Sequence, residues 1–183
     1  MTTLTNRPMA LFFVEFNEFY ARHLCRHSQL GINVIHLLAL LGIWYAVYGL
    51  LYWLVGMEWV LAAAALAYLA ILVINVPMRV FLATAIFLAL IVAALVLLPQ
   101  PPFWVYLIVL PALYKVQSWS HRFYTIETDM TQFNKKYTKG FILFIVLLIY
   151  EVPIVLNFLL FDRTASTARV APADQESAAA NAS

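Results

Sequence analysis

The sequence predicts an all-α membrane protein, a polytopic bundle of about five transmembrane helices preceded by an interfacial amphipathic helix. Three observations predict it. Hydrophobic residues fill 64% of the 183 positions and charged residues only 11%, whereas a soluble chain is about half apolar and about a quarter charged. So little polar side chain cannot cover a water-facing surface. Five stretches, 33–55, 59–76, 80–98, 103–120 and 140–161, approach the roughly 20 apolar residues that a spanning helix needs. Basic residues alternate between the connecting segments as the positive-inside rule requires.

The N-terminal segment, 1–32, comes first. Phe12, Phe16, Phe19 and His23 recur at helical spacing, with Glu15, Glu18 and Arg22 on another face. This predicts a helix over 9–28 lying in the headgroup region, which Gly31 ends. Glu15 and Glu18 occupy the place of a signal peptide's apolar run, so no cleavable signal is expected. The transmembrane domain, 33–161, follows. Its second and third spans are joined by Pro77-Met78-Arg79, and its third and fourth by Pro99-Gln100-Pro101-Pro102. Both read as tight turns, because proline ends helices. Trp53, Trp59, Trp104 and Trp119 lie near predicted helix ends, as an aromatic belt would. Residues 162–183 are Ala/Ser-rich and lack aromatics, which predicts a disordered polar tail.

Arg7, Arg22, Arg26, Arg79, Lys115, Arg122, Lys135, Lys136 and Lys139 fall on one side of this topology, against Arg163 and Arg169 on the other. The N-terminus is therefore expected to be cytoplasmic and the C-terminus to lie across the membrane, either a bacterial inner membrane or the endoplasmic reticulum. The net charge of +2 does not suit nucleic acid. The single Cys25 excludes an internal disulfide and a CxxC metal pair.

All four histidines fall at the cytoplasmic edge. His23 and His27 share a helix face at i,i+4, His36 lies about one turn into the first span, and His121 closes the fourth. Imidazole is the commonest transition-metal ligand, so the four form a candidate metal or acid/base site. Taken singly, each reads more readily as an ordinary interfacial histidine, because the amphipathic ring tolerates headgroup depth. Chance, however, would scatter four of them over both edges and the tail. Asn33 shares a face with His36 and is placed to orient its imidazole. Gln117, His121 and Tyr124 share a face, and Glu127 and Asp129 follow as oxygen donors. Glu151 is the one acid predicted near mid-span, where a charge is costly. Two readings of it stay open: a proton or substrate contact, or a structural hydrogen bond to Asn75, Asn157 or a tyrosine. No HExxH, nucleophile elbow or glycine-rich phosphate loop is present.

These residues carry a resemblance. Phe19-Tyr20 leads to His27, Asn33 and His36; Gln117 precedes His121, Tyr124 and Glu127; and Tyr150-Glu151 lies in the last span. In these three places the chain resembles the membrane 2-hydroxy fatty acid dioxygenases of fatty-acid α-oxidation. It departs from them in the closer spacing of Asn33 to His36, a displaced Glu127, the absence of a proline after that glutamate, and Ser120 where glycine is usual. The resemblance implies an Fe(2+)-dependent membrane oxidoreductase of lipid metabolism. Its substrates would be O2 and a long-chain 2-hydroxy fatty acid, which it shortens by one carbon. It implies His27, His36 and His121 as metal ligands, with His23 as the fourth that the match reaches least. Asn33, Gln117 and Glu127 are the implied catalytic support.

Two other function classes use the same features. A haem-binding electron carrier needs axial histidines deeper in facing spans, a position that only His36 and His121 approach. A non-enzymatic membrane lipid-binding or interaction protein needs no metal at all.

Overall fold

The computed structural model describes residues 15–124 and 140–162 and, among them, six α-helices and no strand. They are α1 (Phe16–His27), α2 (Leu30–Val55), α3 (Glu58–Leu72), α4 (Met78–Leu97), α5 (Phe103–Tyr124) and α6 (Phe141–Leu160). Glu127, Asp129, the remainder of the 125–139 segment and the tail from 163 lie outside the described residues, as do Phe12 and the chain before it. The all-α class agrees with the sequence. The count of spans does not: three helices, α2, α4 and α6, are long and apolar enough to cross a membrane, fewer than the five expected. The 15 residues of α3 reach only about 22 Å, short of a hydrocarbon core of about 30 Å. Helix α5 has 22 residues, but Lys115, Gln117, His121 and Arg122 dilute the apolar character of its second half. Leu38, Leu54, Leu66, Leu90 and Leu97 stand more than 60% exposed on the outside of the bundle. In water such a surface is a liability; against lipid it is the expected one.

Helix α2 is central and packs on every other helix, most extensively on α5. Three glycines set that contact. Gly31 faces Tyr124, Gly42 faces Leu113 and Gly49 faces Tyr106, so the helices run antiparallel along their length. A Cβ at Gly31 would sit 2.9 Å from the Tyr124 ring. Gly31 was expected to break the N-terminal helix, but it lies inside the first turn of α2 and admits an aromatic ring. The break falls one step earlier, at Ser28 and Gln29. Gly56 ends α2 in the left-handed conformation (φ 70°), its N–H bonded to the Tyr52 carbonyl at 2.7 Å.

The apolar face of α1 is covered by protein rather than left to headgroups. Phe16, Phe19 and Tyr20 are buried, and the Phe19 ring meets that of Tyr150. Glu15 and the first two residues of α1 border a cleft with the α3–α4 turn at 74–77, while the last turn of α1 meets α2 and α5 through histidines. Helix α1 therefore lies across the end of the bundle where α2 begins and α5 ends. The Tyr20 hydroxyl donates to the Asp162 carbonyl, and Arg79 lies 5.3 Å over the Phe161 ring. The C-terminal end of α6 is thus at this same end of the bundle. Five alternating crossings would instead have put it at the opposite end from α1.

Pro153 lies inside α6 and has no N–H to offer the Ile149 carbonyl one turn earlier. Tyr68 of α3 satisfies that carbonyl, donating its hydroxyl at 2.5 Å. The proline thus ties the middle of α6 to α3, and Glu151 sits within the tied turn.

Candidate metal centre

Three helices deliver three imidazoles to one point. His27 ends α1, His36 lies six residues into α2, about 9 Å along it, and His121 lies near the end of α5. Their ring centroids are 4.6 Å (His27–His36), 4.7 Å (His27–His121) and 5.2 Å (His36–His121) apart, with planes steeply inclined. One candidate ligand nitrogen from each lies within 4.8 Å of the other two. That separation is short enough for one ion to reach all three nitrogens.

The hydrogen bonds around the trio decide which nitrogens are available. His27 Nδ1 donates to the His23 carbonyl at 3.1 Å, within its own helix. Its Nε2 is buried with no hydrogen-bond partner among the described residues, and His36 Nε2 is in the same state. Orphaned buried polar atoms are rare and call for an explanation. Two of them on adjacent imidazoles fit a transition-metal ion, which would take up both lone pairs. Among the described residues the gathered donors are three imidazole nitrogens, a set that suits Fe(2+) or Zn(2+).

His23 has a different position. Its ring stacks flat on that of His27 (4.1 Å, 5°), and its Nε2 bonds Asn33 Oδ1 at 2.8 Å. That nitrogen is engaged, and His23 is not among the three gathered side chains. Asn33 was expected to orient His36, its neighbour on α2. Instead its Nδ2 donates to the carbonyls of His27 (2.5 Å) and Gln29 (2.8 Å). The reason lies in the α1–α2 break: the last carbonyls of α1 have no intrahelical donor, and Asn33 is the buried amide that reaches them. Asn33 therefore joins α1 to α2 and holds His23.

His36 takes its partners from α5 and α6. Gln117 Nε2 lies 3.2 Å from His36 Nδ1 and also donates to Glu151 Oε1. Glu151 Oε1 is itself 3.5 Å from His36 Nδ1. Of the two readings open for Glu151, the structural one named Asn75, Asn157 or a tyrosine as its partner; the groups that meet its carboxylate are Gln117 and His36. Ser120, buried beside them, donates to the Gln117 carbonyl at 2.7 Å. In the sequence, the cost of a mid-span charge and the resemblance both single out Glu151, but neither assigns it a histidine partner. The link depends on the register of α6 against α2, which no local pattern encodes.

Burial weakens the basicity of the α1 imidazoles. His23 is pushed down to about 3 by desolvation, against the support of its Asn33 bond. His27 is pushed down further, by desolvation first and then by the neighbouring histidines. Both folded values lie below the unfolded value of about 6.5, so below that pH the unfolded chain takes up protons that the fold resists. The metal-free protein is expected to hold constant stability from pH 8 to 7. It should then lose about 1.4 kcal/mol per histidine per pH unit below 6.5. Thermal melts across pH 5–8 measure this, and a His27→Gln variant should decline less steeply. A flat wild-type profile would refute it.

No protein-family model, no curated protein and no solved structure matches the chain.

Proposed function

We propose that the chain is a membrane non-haem iron(II) dioxygenase acting on 2-hydroxy long-chain fatty acids, or on a related lipid. The observation that supports this most is the gathering of His27, His36 and His121, with two orphaned Nε2 atoms, at one end of an apolar bundle. Iron(II) held by three imidazoles would supply redox chemistry toward dioxygen and retain positions for a chelating 2-hydroxy acid. The overall reaction balances with dioxygen alone. The C1–C2 bond breaks, C1 leaves as carbon dioxide, and C2 becomes the new carboxyl carbon. The remaining oxygen and the hydrogens form water.

The chain's own residues provide the setting. Arg26, exposed on α1, is near enough to His121 for their charges to interact, and Arg122 follows His121 on α5. A substrate carboxylate between these cations would be held at the polar edge, with its acyl chain along the exposed apolar faces. His36 is buried and His27 and His121 are half-buried, which limits water at the trio. A haem carrier fits less well: centroids 4.6–5.2 Å apart leave room for an ion between the rings but not for a macrocycle.

The test is oxygen uptake by the iron-reconstituted protein in detergent with 2-hydroxypalmitate. One equivalent each of carbon dioxide and the acid one carbon shorter is expected per O2. Metal binding without turnover of any 2-hydroxy acid would remove the substrate assignment, and absence of iron binding would favour a non-enzymatic lipid-binding protein. Tight zinc binding with iron rejected would remove the oxidative chemistry.

A further inference from the structure

We propose that Glu151 is the positioning residue of this metal centre: its carboxylate accepts the Nδ1–H of His36 and so leaves Nε2 as the ligand atom. The inference rests on His27, His36 and His121 holding a metal. It does not depend on which substrate is oxidised.

A histidine that binds a metal through one nitrogen nearly always donates from the other to a carboxylate or a carbonyl, which sets its tautomer and its direction. His27 already has this arrangement with the His23 carbonyl. His36 is in the second turn of α2, where nearby carbonyls belong to the helix ladder, so its acceptor must come from another element. Glu151 Oε1, 3.5 Å from His36 Nδ1, is the anionic oxygen that α6 brings there. Gln117 holds that oxygen in place through its Nε2 donation.

Gln117 Nε2 donates to Glu151 Oε1 and lies 3.2 Å from His36 Nδ1, whose role in that contact depends on the ring's tautomer. A metal held through Nε2 would select the neutral tautomer that carries its proton on Nδ1. That Nδ1–H would have Glu151 Oε1 as its acceptor. The ring's charge is the same in both tautomers, so no other reactant is needed.

The fold maintains the carboxylate at a depth where charge is costly. Tyr68 on the Ile149 carbonyl and Phe19 against Tyr150 hold the turn that carries it. Arg22 of α1 is close enough to Glu151 for their charges to attract. A negative charge one imidazole away from a dication also strengthens binding directly.

Cobalt(II) titration of the full chain in detergent, in competition with a chelator, tests the assignment. Glu151→Gln should weaken cobalt binding by about 10- to 100-fold, and Glu151→Leu by at least as much. Glu151→Gln should retain the wild-type melting profile without metal, since an amide can still accept from Gln117. A second readout is the His36 Nδ1–H proton of the zinc-loaded, 15N-histidine-labelled protein. It should appear in the wild type and shift or vanish in Glu151→Gln. If both Glu151 variants bind cobalt like the wild type while His36→Ala does not, the positioning role is overturned and the metal centre stands. If the wild type and every variant fail to bind, the metal centre itself is overturned, and this inference with it.

Discussion

Replacing His36 with alanine is expected to remove metal binding almost completely. The wild-type protein should hold one equivalent of Fe(2+) or Co(2+), and His36→Ala less than about a tenth of that. Structural metal sites with four ligands gain roughly 10–16 kcal/mol from binding, so one ligand accounts for roughly 100- to 1,000-fold in affinity. His36 is the most deeply buried of the trio and contributes an Nε2 with no partner among the described residues. Water therefore has little access to replace it as a ligand. His27→Ala and His121→Ala should fall in the same direction. His23→Ala is expected to be milder, keeping the stoichiometry, because the His23 Nε2 is engaged with Asn33 and acts on the site through the stacked ring of His27. Metal analysis on protein with wild-type far-ultraviolet dichroism separates these cases. Retention of a full equivalent in His36→Ala would remove the trio as the binding site.

Gly49→Ala should be the most damaging single-methyl change in the bundle. A Cβ there would lie 2.5 Å from Tyr106 Cζ, well inside contact distance, and Tyr106 is 1% exposed. The ring cannot swing aside cheaply, because its hydroxyl donates to Gln100 Oε1 at 2.5 Å. Overpacking of this kind costs about 1–3 kcal/mol. It must also push α5 away from α2, and the same pair of helices carries Gln117, His121 and His36. The expected result is a lower melting temperature together with weaker cobalt binding, although Gly49 lies far from the histidines along α2. Gly140→Ala serves as the control: its added Cβ meets nothing within 4 Å and should change neither quantity. Equal melting temperatures for Gly49→Ala and wild type would show that the helices part without cost.

Much of the architecture was legible because it is written locally. A span is a run of apolar residues, a turn is a proline, and an amphipathic face is a spacing. The boundaries of α2, α4 and α6 follow those signals to within a few residues. The face of α1 bearing Phe16, Phe19 and His23 is likewise the one that is buried. Local signals misled where a residue acts at a distance. Gly31 looked like a helix breaker, yet it makes room for Tyr124 from another helix. Asn33 looked like a partner of His36 because the two share a face, but the unsatisfied carbonyls at the end of α1 draw it away.

The sequence by itself determined that this is an apolar helical bundle with its histidines gathered toward one end. Composition and periodicity suffice for that, because burial and lipid exposure act on each helix separately. Only the tertiary structure decided which histidines converge, that Asn33 holds His23, and that Glu151 stands behind His36. Those pairings depend on the register between helices far apart in the chain. That register is set by close packing at the α2 glycines and by the Tyr68–Ile149 bond that Pro153 makes available, contacts that exist only once the helices have met.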